Sequence, residues 1–549
     1  MQGLGRRPLL LLPWLLPGSG ALGAGRAARA AEAPGSAPGS APGPIMAELS
    51  AYMAAATSRP LPEAVAEAAR HHLLDTFAAM VSGAGLLPGR QAHRYARAQG
   101  GSGPATIAAA GLACLPAEAA LVNGMLAHAD ETDDSHAASA SHPGCAVVPA
   151  ALAVGEALGL DGARFLRAVA LGYDVGPRVN LALGAWKFRG ESHRSTHSIA
   201  GTFGAAAAAG AAAGLDAQRM RWMLDYAAQQ ASGIASWGRD PDHIEKAFVF
   251  GGMPARNGVT AALLVHGGAT GIEDVFSGAD NFLIAHVADA KPAELVEGLG
   301  RRFEITRTNI KRWTVGSPIQ APLDALDLLR RRRSFAAAEV RAVEVRLASQ
   351  QARVVDNRDM PDICLQHMVA IMLLDGTASF EAAHDVPRMR DAAVLRERAK
   401  VTLQGDAALE ALLPRREAVV TVTLADGTTL TERVGEVRGT TANPMTRQEV
   451  VEKARDLLAP VLGAEQAARL IEASLGIEAL ADLRPLRPLL QVGCGGAGVP
   501  GGVDGPGASP VASETLAKAL ICRASGLLLG CGQRRAAPCV RGGDARAER

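Results

Sequence analysis

The feature that most narrows the fold is a run of apolar segments from Ile45 to about residue 300, where alanine, leucine and glycine recur at helical spacing. In LPEAVAEAARHHLLDTFAAMVSG, Val65, Ala68, Ala69, His72, Leu73, Phe77 and Met80 fall near one stripe. Pro62 sits in the first turn and Gly83 stops the segment. His71 and His72 lie inside this pattern and read as packing and surface residues. PAEAALVNGMLAHADE and HPGCAVVPAALAVGEALG are two further helices, and STHSIAGTFGAAAAAGAAAGLD and ARNGVTAALLVHGG are apolar ones whose small residues allow close backbone approach. This part of the chain reads as an α-helical bundle.

Residues 304–440 follow a different pattern. AEVRAVEVRLA and REAVVTVTLADGTTLTERV are β-rich, the second with an Asp426-Gly427 hairpin turn, and helical stretches lie between them. The fold class is therefore mainly α: a large all-helical domain, residues 46–303 plus 441–490, and a smaller α+β lid domain, residues 304–440. At 549 residues two or more domains are the default. Residues 1–45 carry twin arginines, a short apolar run and an A-x-A-like ending, followed by APGSAPGSAPGP. They are expected to be an export signal and a flexible linker, with a cytoplasmic protein as the alternative. Residues 491–549, rich in Gly, Pro and Arg, are expected to lack a fold of their own.

A formal net charge of +1 gives no electrostatic case for nucleic acid, and the broken apolar run near the start is too short for a membrane span. The four arginines Arg330–Arg333 are read as complementing a helix C-terminus. Seven cysteines contain no CxxC pair, which argues against a zinc ribbon or a disulfide framework. Cys145 is read as a small packing residue.

HADETDDSHAASASHPG, residues 128–144, gathers three histidines, four acids and four hydroxyl side chains between two apolar helices. Such residues are poor helix formers, so stability alone does not explain the cluster. One reading is a helix end capped by Asp and Ser. A second is a metal cage of His128, Asp130, His136 and His142; no HExxH spacing accompanies it, and no metal is expected. The third is an acid–base apparatus.

The blocks HADETDDSH…HPGCAVVPAALA, STHSIAGTFGAAAAA, EKAFVFGGMPARNGVTAALL, NIKRWTVGSPIQAPLDAL and HMVAIMLLDG, in that order, resemble the MmgE/PrpD family, over roughly residues 46–490. The resemblance implies a homodimer with a site in a cleft between domains, acting on a small carboxylic acid without metal or organic cofactor. It implies a dehydratase-type lyase, with a decarboxylase, an isomerase or a non-catalytic binder of small acids as alternatives. Matched to the family's acid and hydroxyl block, Glu131, Asp133, Asp134 and Ser135 take its positions, and His142 takes its HP histidine. Glu131 is one methylene longer than the family's aspartate, and Asp130 is adjacent to take its place. The resemblance makes His142 the proton-transfer group, since an imidazole titrates near neutrality. Ser195 falls where a second histidine is expected, with His193 and His197 on either side; His197 is preferred. Lys246, Lys311 and Arg312 are the expected cations for substrate carboxylates. Gln320 and His367 are the remaining candidates for the pocket.

Overall fold

The computed structural model describes residues 41–492; the expected export signal and the Gly/Pro/Arg-rich tail lie outside the described residues, as does most of the linker. The helical part is built around Thr196–Ala212, in which every residue is buried. A helix with no exposed face has to be covered on all sides. Helices Gly144–Leu158, Gly162–Leu183 and Met253–His266 supply that cover. Helix Glu63–Gly83 packs beside them, and the late helix Arg447–Leu462 returns to lie against it. One hydrophobic core thus joins residues from Met46 to Ile310 with residues from Met445 to Leu490.

A short antiparallel hairpin, β1 (Ala105–Ile107) and β2 (Leu112–Cys114), interrupts this otherwise helical region. Its three-residue strands are too short to leave a readable alternation in the sequence.

A second core runs from Trp313 to Val437. It sits under a four-stranded sheet of β3 (Val340–Ala348), β4 (Val401–Asp406), β5 (Ala418–Leu424) and β6 (Thr429–Val434), in the order β4-β3-β5-β6. β3 pairs parallel with β4 and antiparallel with β5, and β5 pairs antiparallel with β6. The β5–β6 turn is made at Asp426-Gly427, where Gly427 has φ +88°, a conformation that favours glycine. Along β5, buried positions alternate with half-buried ones, as a sheet covered on one face requires. Helices Ser317–Arg332 and Leu365–Asp375 supply the cover. The arginine run ends the first of these: Arg330 donates to the carbonyls of Met372 and Leu373, Arg331 pairs with Asp327, Arg332 with Glu432 and Arg333 with Asp426.

Candidate active site

Helix Pro116–Ala127 ends at His128, and the chain stays irregular until helix Gly144–Leu158 begins. Between them lie four acids, all buried, and each meets a different set of partners. Asp134 accepts from the Gly144 amide (3.0 Å) and the Tyr173 hydroxyl (2.5 Å), and its other contact is His72 Nδ1 at 2.8 Å. These contacts tie Asp134 to the first residue of helix Gly144–Leu158 and hold the turn carrying His142. Asp133 sits between two imidazoles, its Oδ2 2.9 Å from His128 Nδ1 and its Oδ1 3.0 Å from His142 Nδ1. Glu131 sits between two ammonium groups. Lys246 Nζ pairs with its Oε1, while Lys311 Nζ donates to its carbonyl at 2.7 Å and lies 3.3 Å from Oε2. Asp130 faces the α+β domain, its Oδ2 3.0 Å from His384 Nε2.

The second imidazole comes from the central helix. His197 stacks on Phe250 with centroids 3.7 Å apart and lies 5.2 Å from the His142 ring. Ser195, where a histidine was expected, is the N-cap of that helix, and His193 is exposed in a left-handed turn. Lys246 and Phe250 owe their positions to a π-helical turn, Phe248–Gly252, within the run Ile244–His266. Such turns re-aim side chains and recur at functional sites. The turn approaches helix Pro116–Ala127 through a glycine pair: a Cβ on Gly124 would meet the Gly251 carbonyl oxygen at 2.5 Å.

Burial and charge set the protonation states. Burial pushes the carboxyl of Glu131 up, but Lys246 and Lys311 outweigh it and hold the group well below the usual carboxylate range. Asp133 is likewise held low by His128 and His142 against the same burial. Burial lowers His142, with Asp133 pulling the other way, and drives His197 far down, reinforced by His142 and Arg189. Lys311 is raised: burial opposes its charge, but Glu131 and Asp133 more than compensate. The resting site therefore favours ionised carboxylates and a charged Lys311, with His142 and His197 biased toward their neutral forms.

A cavity of about 260 Å³ reaches this cluster through Ser135 and Lys311 and is lined further by Gln320 and Arg416. Of the residues expected from sequence, Glu131, Ser135, His142, His197, Lys246 and Lys311 come together around the cluster and the cavity. Four others have neighbours of their own. Gln320 donates from Nε2 to the carbonyls of Trp313 (2.7 Å) and Val315 (2.9 Å) and accepts from the Trp313 amide, so it clamps the local backbone. Arg312 pairs with Asp324 and Asp327 and stacks on Trp313. His367 is buried on helix Leu365–Asp375, where burial and then Arg398 and Arg388 push it down to about 4. Its electrostatic neighbours are all in the α+β domain. Asp130 turns toward His384 and does not take the place of Glu131.

The four residues of the metal-cage reading do not converge. His136 is bonded to Ser139 (2.8 Å) and lies 3.1 Å from Glu304, while Asp130 faces His384. Two other sets place ligand atoms within 4.8 Å of one another: His128, Glu131 and His243, and His128, Asp133 and Cys145. In the first, Glu131 is already neutralised by two ammonium groups, and in the second the Cys145 thiol is held well above its ordinary value by burial. Neither donor set suits a divalent cation.

Several neighbours carried no readable signal. His243, in a left-handed conformation with φ +67°, lies buried 5.3 Å from the His128 ring. Its position three residues before Lys246 was the one available hint. Trp237 packs edge-on to His197 and Phe250. His384, Asp362 and Arg416 arrive from the α+β domain, at separations no local pattern encodes.

Buried carboxylates, ammonium groups and imidazoles beside a cavity are the residue types from which acid–base sites are built. Residues 47–295 match the MmgE/PrpD N-terminal domain and residues 313–478 the MmgE/PrpD C-terminal domain, and the chain belongs to this family. It is 25% identical to a cis-aconitate decarboxylase of Aspergillus terreus over 412 residues, covering 68% of this chain and 81% of that one. It is 26% identical to the cis-aconitate decarboxylase of Homo sapiens over 408 residues, covering 68% and 79%. A cis-aconitate decarboxylase-like protein of Aspergillus oryzae is 28% identical over 289 residues, covering 49% and 58%.

Proposed function

We propose that the protein is a lyase that removes water from, or adds it to, a small di- or tricarboxylic acid, with His142 carrying the proton. The observation behind this is the pairing of His142 with Asp133. A carboxylate only accepts, so Nδ1–H donates to Asp133 Oδ1 at 3.0 Å, and Nε2 is left with its lone pair for a substrate. A neutral imidazole of depressed basicity is a base in its resting form.

In the dehydration direction His142 Nε2 takes a proton from the carbon beside a carboxylate. The ammonium group of Lys311 stabilises the negative charge that spreads into that carboxylate. Ser135, whose hydroxyl has no partner among the described residues, hydrogen-bonds the departing oxygen. The proton on His142 passes to the leaving hydroxyl, so water departs, a C=C bond remains, and the imidazole returns to its starting state.

Decarboxylation is the second reading, supported by the names of the relatives. There CO₂ leaves, and the electron pair left on carbon takes a proton from imidazolium. The two readings predict opposite pH profiles. With His142 as base, kcat/KM rises with pH through a value below 6.5; with imidazolium as acid, it falls over the same range. Incubating the purified chain with a panel of di- and tricarboxylic acids in D₂O, with NMR of the products, identifies the bond broken. No turnover of any acid by folded protein overturns the lyase reading.

A further inference from the structure

Two guanidinium groups near the cluster meet no carboxylate among the described residues. Arg416, just before β5, lines the cavity together with Ser135 and Lys311. Its neighbour Arg415 pairs with Glu417 at 2.5 Å, whereas Arg416 makes no hydrogen bond or ion pair with any described side chain. Arg189, in helix Ala185–Ser192, lies over Trp186 and Trp237 at 5.2 and 5.0 Å, and it too meets no described carboxylate. Trp186, beneath Arg189, donates from Nε1 to the Ala137 carbonyl at 2.8 Å, and Ala137 lines the same cavity as Arg416.

Elsewhere in the cleft the charges cancel. Lys246 and Lys311 face Glu131 and Asp133, and His384 faces Asp130. The two arginines are the uncompensated remainder. Burial pushes Arg189 down and Arg416 down to about 10, the cost of removing a charge from water without a partner. An anion between them would offset that cost, and a guanidinium fork matches a carboxylate in shape.

We propose that Arg189 and Arg416, one from each domain, hold the carboxylate of the substrate that does not react. This rests on the reading of the cleft as a carboxylic-acid site. Lys311 serves the reacting carboxylate and Lys246 is paired with Glu131, which leaves the two arginines for the remote one.

Calorimetry on the full chain with tricarballylate and with propionate tests the assignment without requiring turnover. Wild type is expected to bind tricarballylate the more tightly. Arg416→Gln and Arg189→Gln should each weaken tricarballylate by about 10- to 100-fold and leave propionate unchanged. Arg416→Lys keeps the charge, loses the fork and should recover part of the affinity. It also keeps the test decisive should the glutamine variants fail to fold by circular dichroism. Equal losses for both acids, unchanged affinity in the variants, or no preference in wild type overturns the proposal. Arginine-dependent binding without turnover would sink the lyase reading and leave the clamp standing; turnover with arginine-independent affinity does the reverse.

Discussion

Removing the carboxylate of Glu131 leaves the ammonium groups of Lys246 and Lys311 facing one another in a buried site. Breaking a buried pair from one side costs about 3–5 kcal/mol because the remaining charge is stranded. Glu131→Gln is therefore expected to lower the melting temperature by several degrees, and added tricarballylate should restore more of it than it adds to wild type. Differential scanning calorimetry reads both; an unchanged melting temperature would show that the three groups do not share their charge. His142→Gln keeps a hydrogen bond to Asp133 but cannot move a proton. Its kcat should fall by about 10²–10⁴-fold with the circular dichroism spectrum unchanged, measured on whichever acid the panel identifies. The cluster around residues 128–144 was legible because acids and histidines are out of place among alanines. Its four acids could not be told apart, since Asp130, Glu131, Asp133 and Asp134 differ in what reaches them from elsewhere. Gln320 lines the cavity as its place in the chain suggested, while its amide is spent on local backbone, a partner the sequence did not reveal.

The π-helical turn Phe248–Gly252 carries this logic to elements. It sets Lys246 and Phe250 against His128 and His197, and it is pinned to helix Pro116–Ala127 where Gly124 and Gly251 meet backbone to backbone. A methyl group at Gly251 would enter the van der Waals radius of the Gly124 carbonyl oxygen. Gly251→Ala should therefore cost about 1–3 kcal/mol or more in urea denaturation. Because Lys246 would move with the turn, kcat should fall beyond what lost stability explains; full activity in a stable variant would show that the turn does not position the lysine. Regular elements were readable where period and length were ample, as in the helix over residues 63–83 and the β5–β6 hairpin with its Asp-Gly turn. The π turn left no such trace, because one extra residue per turn does not change an apolar pattern already saturated with small side chains. β4 was equally silent: half of it is polar, and its place is set by parallel pairing with β3 some sixty residues away.

At the scale of the molecule the two domains meet through buried charges, and their balance depends on pH. Asp130 of the helical domain lies 3.0 Å from His384 of the α+β domain. Burial pushes the His384 imidazole down, but the hydrogen bond and charge of Asp130 prevail and raise it to about 9. A folded-state value above the unfolded one, near 6.5 for a free histidine, means that the pair contributes fully below about pH 6.5 and is lost as pH rises through 9. The shift corresponds to at most about 3 kcal/mol. Asp362, raised to about 7 mainly by burial, acts in the same sense at lower pH: its protonated form favours the fold, and that contribution fades as pH rises through 7. The urea midpoint of wild type should therefore fall between pH 7.5 and 9.5, above the range in which the lowered histidines His142, His197 and His367 act in the opposite sense. Above pH 7.5 that fall belongs to His384, since Asp362 has already titrated. His384→Gln should flatten the curve there. If the variant keeps the wild-type slope between pH 7.5 and 9.5, the imidazole is not charged in the folded protein, and the two domains are held together by something other than this pair.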